Sequence, residues 1–221
     1  QAQVIITGRR EEELKKTCSL INSEYGKCDF FQGDVTDISD CKRIVEAVCE
    51  KYHHLDILIN NAGMSMRGLF EETPLELFHK IIDINFSGAV NMTKFALPCL
   101  IESQGSVVFI SSLSGLKGIP GIAPYGTAKM ALTGFTESLR AEVYNHNVHV
   151  GLIFVGFTEN DDDKTIYSVT GDQIPLHRPK NNDTQQGVGK SIYKAVRKRK
   201  SIMYLTFLGK MTKIIYQFFP R

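Results

Sequence analysis

Apolar residues in this chain follow two alternating patterns. Short runs rich in β-branched and aromatic side chains have the length of strands: Gln3–Thr7, Cys28–Gly33, Leu55–Ile59, Val107–Ile110, Val148–Val155 and Ser201–Leu205. Between them, apolar residues recur every three or four positions, the period of one helix face. Those stretches are a polar helix over Glu11–Glu24, one starting at Asp37 whose buried side is Ile44, Val45 and Val48, and three more at Pro74–Ile101, Tyr125–Asn145 and Thr184–Lys198. Asp37 with Asp40 three residues on is the charge pattern that a helix N-terminus favours. Leu55–Ile59 is almost entirely apolar, which predicts a strand covered on both faces. Strands alternating with helices of crossover length predict a parallel α/β sheet.

In such sheets ligands collect outside the carboxyl ends of the strands. The residues at those ends are Gly8-Arg9, Asp34-Val35, Asn61-Ala62-Gly63, Ser111-Ser112 and Gly156-Phe157-Thr158. After Val107–Ile110 the chain is kept irregular by Gly115, Gly118, Pro120, Gly121 and Pro124, and a helix opens near Tyr125. Tyr125 and Lys129 then lie one turn apart on the same helix side. A phenol with its ordinary pKa of about 10 exchanges protons poorly near neutrality. A neighbouring ammonium lowers that value, and the Ser112 hydroxyl is placed to hold a substrate oxygen by hydrogen bond. This trio is a candidate acid–base site.

Composition narrows the field. The 221 residues suit one domain with a sizeable core, without repeats or low-complexity tracts. The formal charge is +2, yet Lys190–Arg221 holds nine Lys or Arg and no acid, so the remainder is net negative. That distribution argues against a nucleic-acid binder and sets the C-terminal end apart. Cys18, Cys28, Cys41, Cys49 and Cys99 form no CxxC pair and leave one over, which predicts reduced thiols in an intracellular protein. Cys49 and His53 are four apart, but nothing is spaced to complete a metal site, and none is expected. No signal peptide or membrane span is visible, so a cytoplasmic location is expected. The chain opens directly into a strand without a methionine, which suggests that the natural N-terminus lies upstream.

Asn60-Asn61-Ala62-Gly63, then Asn85, then Ser112 thirteen residues before Tyr125-Gly126-Thr127-Ala128-Lys129, resembles the short-chain dehydrogenase/reductase family along essentially the whole chain. The resemblance implies a three-layer, doubly wound Rossmann-type sheet. It also implies hydride transfer between a nicotinamide and a carbonyl or alcohol. Tyr125 would be the general acid/base, Ser112 would position the substrate oxygen, and Lys129 would bind the nicotinamide ribose and depress the tyrosine pKa. Asn85 would hold a water that links Lys129 to solvent; an Asn satisfying backbone groups at a helix break is the competing reading. Asp34 and Val35 match the adenine positions, Asn61, Ala62 and Gly63 the segment lining the adenosine, and Gly156 and Thr158 the nicotinamide side. Where an NAD-selective member carries an acid, this chain has Gly8 and Arg9, so NADP(H) is favoured over NAD(H). Arg10 would assist, although either arginine also suits a solvated helix start.

Three departures stand out. The glycine-rich TGxxxGxG turn is absent, together with the first strand and first helix of the fold. The usual Pro-Gly reads Val155-Gly156, and Asn160 replaces a Thr. The expected organisation is a domain over 1–205 with a substrate lid at 156–185, then a basic amphipathic tail over 206–221. Met64, Leu113, Ile119, Ile122 and Phe157 would face a hydrophobic ketone, aldehyde or secondary alcohol. In the tail, Leu205, Leu208, Met211, Ile215 and Phe218 recur at helical spacing beside Lys210, Lys213 and Gln217. That face either packs on the domain or a neighbouring subunit, or lies on an anionic membrane surface. The resemblance further implies dimers or tetramers built through the two long helices. The competing function is a catalytically silent nucleotide-binding or scaffold protein of the same fold.

Overall fold

The computed structural model describes residues 2–159, 164–176, 183–206, 209–212 and 215. In chain order they form β1 (Gln3–Gly8), α1 (Glu11–Glu24), β2 (Lys27–Gln32), α2 (Ile38–Tyr52), β3 (Ile57–Asn60), α3 (Leu75–Ile82), α4 (Gly88–Glu102), β4 (Ser106–Ser112), α5 (Ala123–Glu142), β5 (His149–Val155), β6 (Thr165–Tyr167), β7 (Gln173–Pro175), α6 (Gln185–Arg197) and β8 (Ile202–Tyr204). The helix starts follow from capping chemistry. The Asp37 carboxylate accepts the backbone N–H of Ser39 and Asp40 at the start of α2, and the Thr184 hydroxyl accepts that of Gly187 at the start of α6.

All strand pairs outside the β6–β7 hairpin are parallel, as the alternating pattern predicts. Four strands run in the order β3-β4-β5-β8, while β1 and β2 form a separate pair. The centre is β4 against β5, where Val107, Phe109, Val150, Leu152 and Phe154 are buried and join residues of α2, α4 and α5 in one core. On the other face, Val108 and Ile153 meet Ala195 and Val196 of α6, which makes the third layer.

Between β1 and β3 the sheet is open. No described strand lies there, and the first strand and first helix of a Rossmann unit are absent from the described residues. Accordingly β3 is not covered as its composition predicts: Ile57 and Ile59 are 47% and 44% exposed. The β1–β2 pair is instead held on through its helix. Cys41, Ile44 and Val45 of α2 pack in the same core as Met92, Ala96 and Leu100 of α4, and the Asn91 amide donates to the Val35 carbonyl at 3.1 Å.

The long helix expected over Pro74–Ile101 runs from α3 into α4 without leaving helical backbone, widened at a five-residue π-turn, Asp83–Ser87. Contrary to expectation, the cysteines are not all free, because Cys49 of α2 and Cys99 of α4 form a disulfide across the helix contact; Cys18, Cys28 and Cys41 remain thiols. Within 156–185, the expected substrate lid, the described residues form the β6–β7 hairpin. Its buried Tyr167 is anchored to the loop after β3 by hydrogen bonds from Arg67 N–H to the Tyr167 carbonyl (2.9 Å) and from Tyr167 N–H to the Ser65 carbonyl (3.0 Å). Asn160, the Asp161–Asp163 run and most of the expected tail helix lie outside the described residues.

Candidate active site

The carboxyl ends of β3, β4 and β5 open into a cavity of about 790 Å³. Ser112 stands on its wall at the last residue of β4, and α5 brings Tyr125 and Lys129 to the same cavity from its first two turns. Gly126, Ala128 and Leu132 let this helix pack tightly beneath the site. Asn85 reaches the cavity from the π-turn, a local widening of a helix that re-aims one side chain.

Lys129 is only 5% exposed. Its Nζ donates to the Ile110 carbonyl at 2.9 Å and lies 5.7 Å from the centre of the Tyr125 ring. Burial without a carboxylate partner pushes its pKa down to about 8. The Asn85 Nδ2 donates to the carbonyls of Met64 (2.7 Å) and Ile81 (2.8 Å), so it does tie down backbone at a helix break. Its Oδ1 is buried and has no partner. Gly63 explains how both groups share one space. A Cβ there would stand 2.7 Å from Asn85 Oδ1 and 3.5 Å from Lys129 Nζ.

The Ser112 hydroxyl accepts the Ser114 N–H at 3.2 Å and lies 3.4 Å from the Ser114 hydroxyl. Asn61, Gly63, Gly156 and Thr158 also line the cavity. Gly156 is required by close approach, since a Cβ would sit 2.4 Å from the Thr206 methyl. A second, smaller cavity of about 250 Å³ is lined by Arg9, Asp34, His79 and Lys80 among others. There Arg9 stands 3.8 Å from the Asp34 carboxylate, whose other oxygen accepts the N–H and hydroxyl of Thr36 at 2.9 Å each. Val35 and Ala62 border neither cavity. The Val35 side chain packs over Gly88 and against the core.

The family model for short chain dehydrogenases matches residues 1–168, about three quarters of the sequence. The chain belongs to the short-chain dehydrogenase family. Dehydrogenase/reductase SDR family member 7B of Rattus norvegicus is 33% identical over the whole of this chain and 71% of its own length. An uncharacterised oxidoreductase of Thermotoga maritima is 36% identical over 72% of this chain and 63% of its own length. The same organism's 3-oxoacyl-[acyl-carrier-protein] reductase FabG is 34% identical over 72% and 65% respectively. The crystal structure of a short-chain dehydrogenase from Streptomyces avermitilis superposes on 97% of this chain and 82% of its own with a TM-score of 0.83, at 24% identity, and so shows the shared fold. This chain spans a little under two thirds of both Thermotoga relatives.

Members of the short-chain dehydrogenase family use nicotinamide cofactors, and the residues of the larger cavity fit that group. An unsatisfied buried amide oxygen, a buried amine and a glycine that leaves room between them form a polar recess at the strand ends. At the opposite end, the described residues place no glycine-rich turn between β1 and β3. Two features of the site escaped sequence reasoning. Ser114, 6% exposed beside Ser112, was signalled only by a third hydroxyl two positions on. Ile166 of β6 and Leu176 just after β7, which also line the cavity, were signalled by short apolar runs on either side of the turn at Gly171.

Proposed function

We propose that this chain is an NADP(H)-dependent oxidoreductase that interconverts a carbonyl and an alcohol on a hydrophobic ketone, aldehyde or secondary alcohol. The observation that carries the reading is the convergence of Ser112, Tyr125, Lys129 and Asn85 on one cavity. A bound nicotinamide supplies or accepts the hydride at the substrate carbon. The chain's own residues manage the oxygen. Ser112 donates a hydrogen bond to it, and the Tyr125 hydroxyl delivers a proton to it during reduction or removes one during oxidation. An ammonium beside a phenol favours the phenolate, so Lys129 keeps Tyr125 able to lose its proton. The Asn85 Oδ1 offers an acceptor beside Lys129, through which the spent proton is replaced. Ile119, Ile122 and Phe157, together with the lid residue Ile166, supply the apolar walls.

The preference for NADP(H) rests on Arg9 at the end of β1, whose half-exposed guanidinium is suited to a 2′-phosphate although Asp34, Glu76 and Asp83 line the same small cavity beside Lys80. NAD(H) is the alternative. Titrating NADPH and NADH by cofactor fluorescence should show tighter binding of NADPH, with the gap narrowed in Arg9→Ala. Screening NADPH oxidation over hydrophobic ketones and aldehydes should give turnover that Tyr125→Phe abolishes at unchanged NADPH affinity. Turnover that survives in Tyr125→Phe would refute the mechanism. The second reading, a silent nucleotide-binding scaffold, is favoured by the open sheet between β1 and β3; NADPH binding without turnover across the panel would establish it. In either case we expect a homodimer or homotetramer formed through α4 and α5, and a monomer by light scattering counts against that assembly.

A further inference from the structure

We infer that the outer face of α6, together with the helical residues Gly209–Thr212 and Ile215 after β8, docks on an anionic phospholipid bilayer. The inner face of α6 is accounted for: Ile192, Ala195 and Val196 pack on Val108 and Ile153. Its outer face carries Lys190, Tyr193, Lys194 and Arg197, all exposed, with Tyr193 and Lys194 each three or four residues from both Lys190 and Arg197. Lys198 and Lys200 extend the row, whereas Arg199 is engaged with the carbonyls of Gln104 and Asn147. None of the five free cations has an ion-pair partner among the described residues, and from Thr184 onward the sequence contains no acid that could supply one. Elsewhere the surface mixes signs, with Lys15, Lys42, Arg43 and Lys51 each paired to a carboxylate. A one-sign helix face repels itself, and an anionic partner removes that cost.

Apolar side chains beside the cations identify the partner. Tyr193 is 62% exposed in the middle of the row. Met211 and Ile215, four apart in the terminal helical residues, are 38% and 49% exposed. Thr212 lines the same cavity as Val188 and Ile192, which places this stretch of helical residues next to α6 at Thr212. Nucleic acid would satisfy the cations but offers Met211 and Ile215 no apolar phase. A bilayer offers headgroup phosphates and carboxylates to the lysines and acyl chains to the apolar residues, with tyrosine at the boundary. On the reading given under Proposed function, the larger cavity would then open beside the membrane, and an apolar substrate could enter from the lipid.

Co-sedimentation with vesicles tests this without depending on turnover. Binding should be strong to vesicles of 70% phosphatidylcholine and 30% phosphatidylserine, weak to phosphatidylcholine alone, and reduced by raising salt to 0.5 M. Each cation near an anionic leaflet strengthens binding about fivefold, so Lys190→Gln/Lys194→Gln/Arg197→Gln should lose on the order of a hundredfold. Met211→Ser/Ile215→Ser should weaken binding while leaving its salt dependence in place. A control, Lys16→Gln/Lys42→Gln/Lys94→Gln, should bind as the unsubstituted protein does, with circular dichroism confirming that every variant is folded. Equal binding to both vesicle types, no binding, or an unaffected triple variant would overturn the inference, as would retention on duplex DNA without vesicle binding. Failure here leaves NADPH turnover untouched, and loss of turnover in Tyr125→Phe leaves vesicle binding untouched.

Discussion

Replacing Lys129 by Met should stabilise the folded chain while removing its chemistry. The amine is buried, its bonded partner is a neutral carbonyl, and its pKa falls from 10.5 to about 8. That fall corresponds to about 3 kcal/mol. The sign follows from proton linkage. Between pH 8 and 10.5 the unfolded chain holds a proton at Lys129 that the folded chain has released, so stability rises with pH across that window. At pH 7 both states are protonated and the whole cost of burying the charge is present. Met fills similar volume without charge, at the loss of a hydrogen bond worth about 1 kcal/mol or more. Lys129→Met should therefore be more stable than the unsubstituted chain by about 1–3 kcal/mol at pH 7. The gap should shrink by about 3 kcal/mol on approaching pH 10.5. Urea denaturation of both proteins at pH 7, 8, 9 and 10 measures this, and other titrating groups cancel in the difference. A difference that stays constant with pH would show that Lys129 is not charged at a dry site, and the argument for its role beside Tyr125 would fail.

Other perturbations probe the remaining joints of the structure. Gly63→Ala puts a methyl 2.7 Å from Asn85 Oδ1; it should cost about 1–3 kcal/mol in thermal unfolding and abolish turnover, and an unchanged Tm would refute the close approach. Opening the Cys49–Cys99 bond, which spans 50 residues, should cost about 4 kcal/mol on a chain-entropy basis. Cys99→Ser should match the reduced parent protein in urea, and a parent insensitive to reductant would contradict the pairing. At the opposite end of the sheet His149 is buried, and burial, reinforced by Arg199 and Arg140, holds its pKa below the ordinary histidine value despite a Lys200 backbone contact. Below about pH 6.5 the unfolded chain takes up a proton that the folded chain refuses, so stability should fall with pH there. His149→Gln should flatten that dependence between pH 5 and 6.5 in urea midpoints; equal slopes would be the negative result.

Much of the architecture was legible because its causes are local. Alternation and helical period placed every strand of the parallel sheet and every long helix to within a few residues. The Asp37 and Thr184 caps sat where the pattern changed. The grouping of Asn61, Gly63, Ser112, Tyr125, Lys129, Gly156 and Thr158 also followed from strand polarity alone, since parallel strands deliver their carboxyl ends to one edge. Val35 and Ala62 were chosen by the same logic, yet they border neither cavity, because rim position does not say which way a side chain points.

The amino-acid order by itself determined the α/β class and the order of the main strands and helices, since each depends on residues within a few positions of one another, and strand polarity then brought the proposed site residues to one edge. What only the tertiary structure decided is everything set by distant neighbours. Packing of α2 on α4 joined Cys49 to Cys99, and the π-turn aimed Asn85 at Gly63. Pairing with the loop after β3 ordered the β6–β7 hairpin, and the walls around Lys129 lowered its pKa. Burial and electrostatics depend on which atoms exclude water from a point in space, and that is fixed only when remote parts of the chain meet.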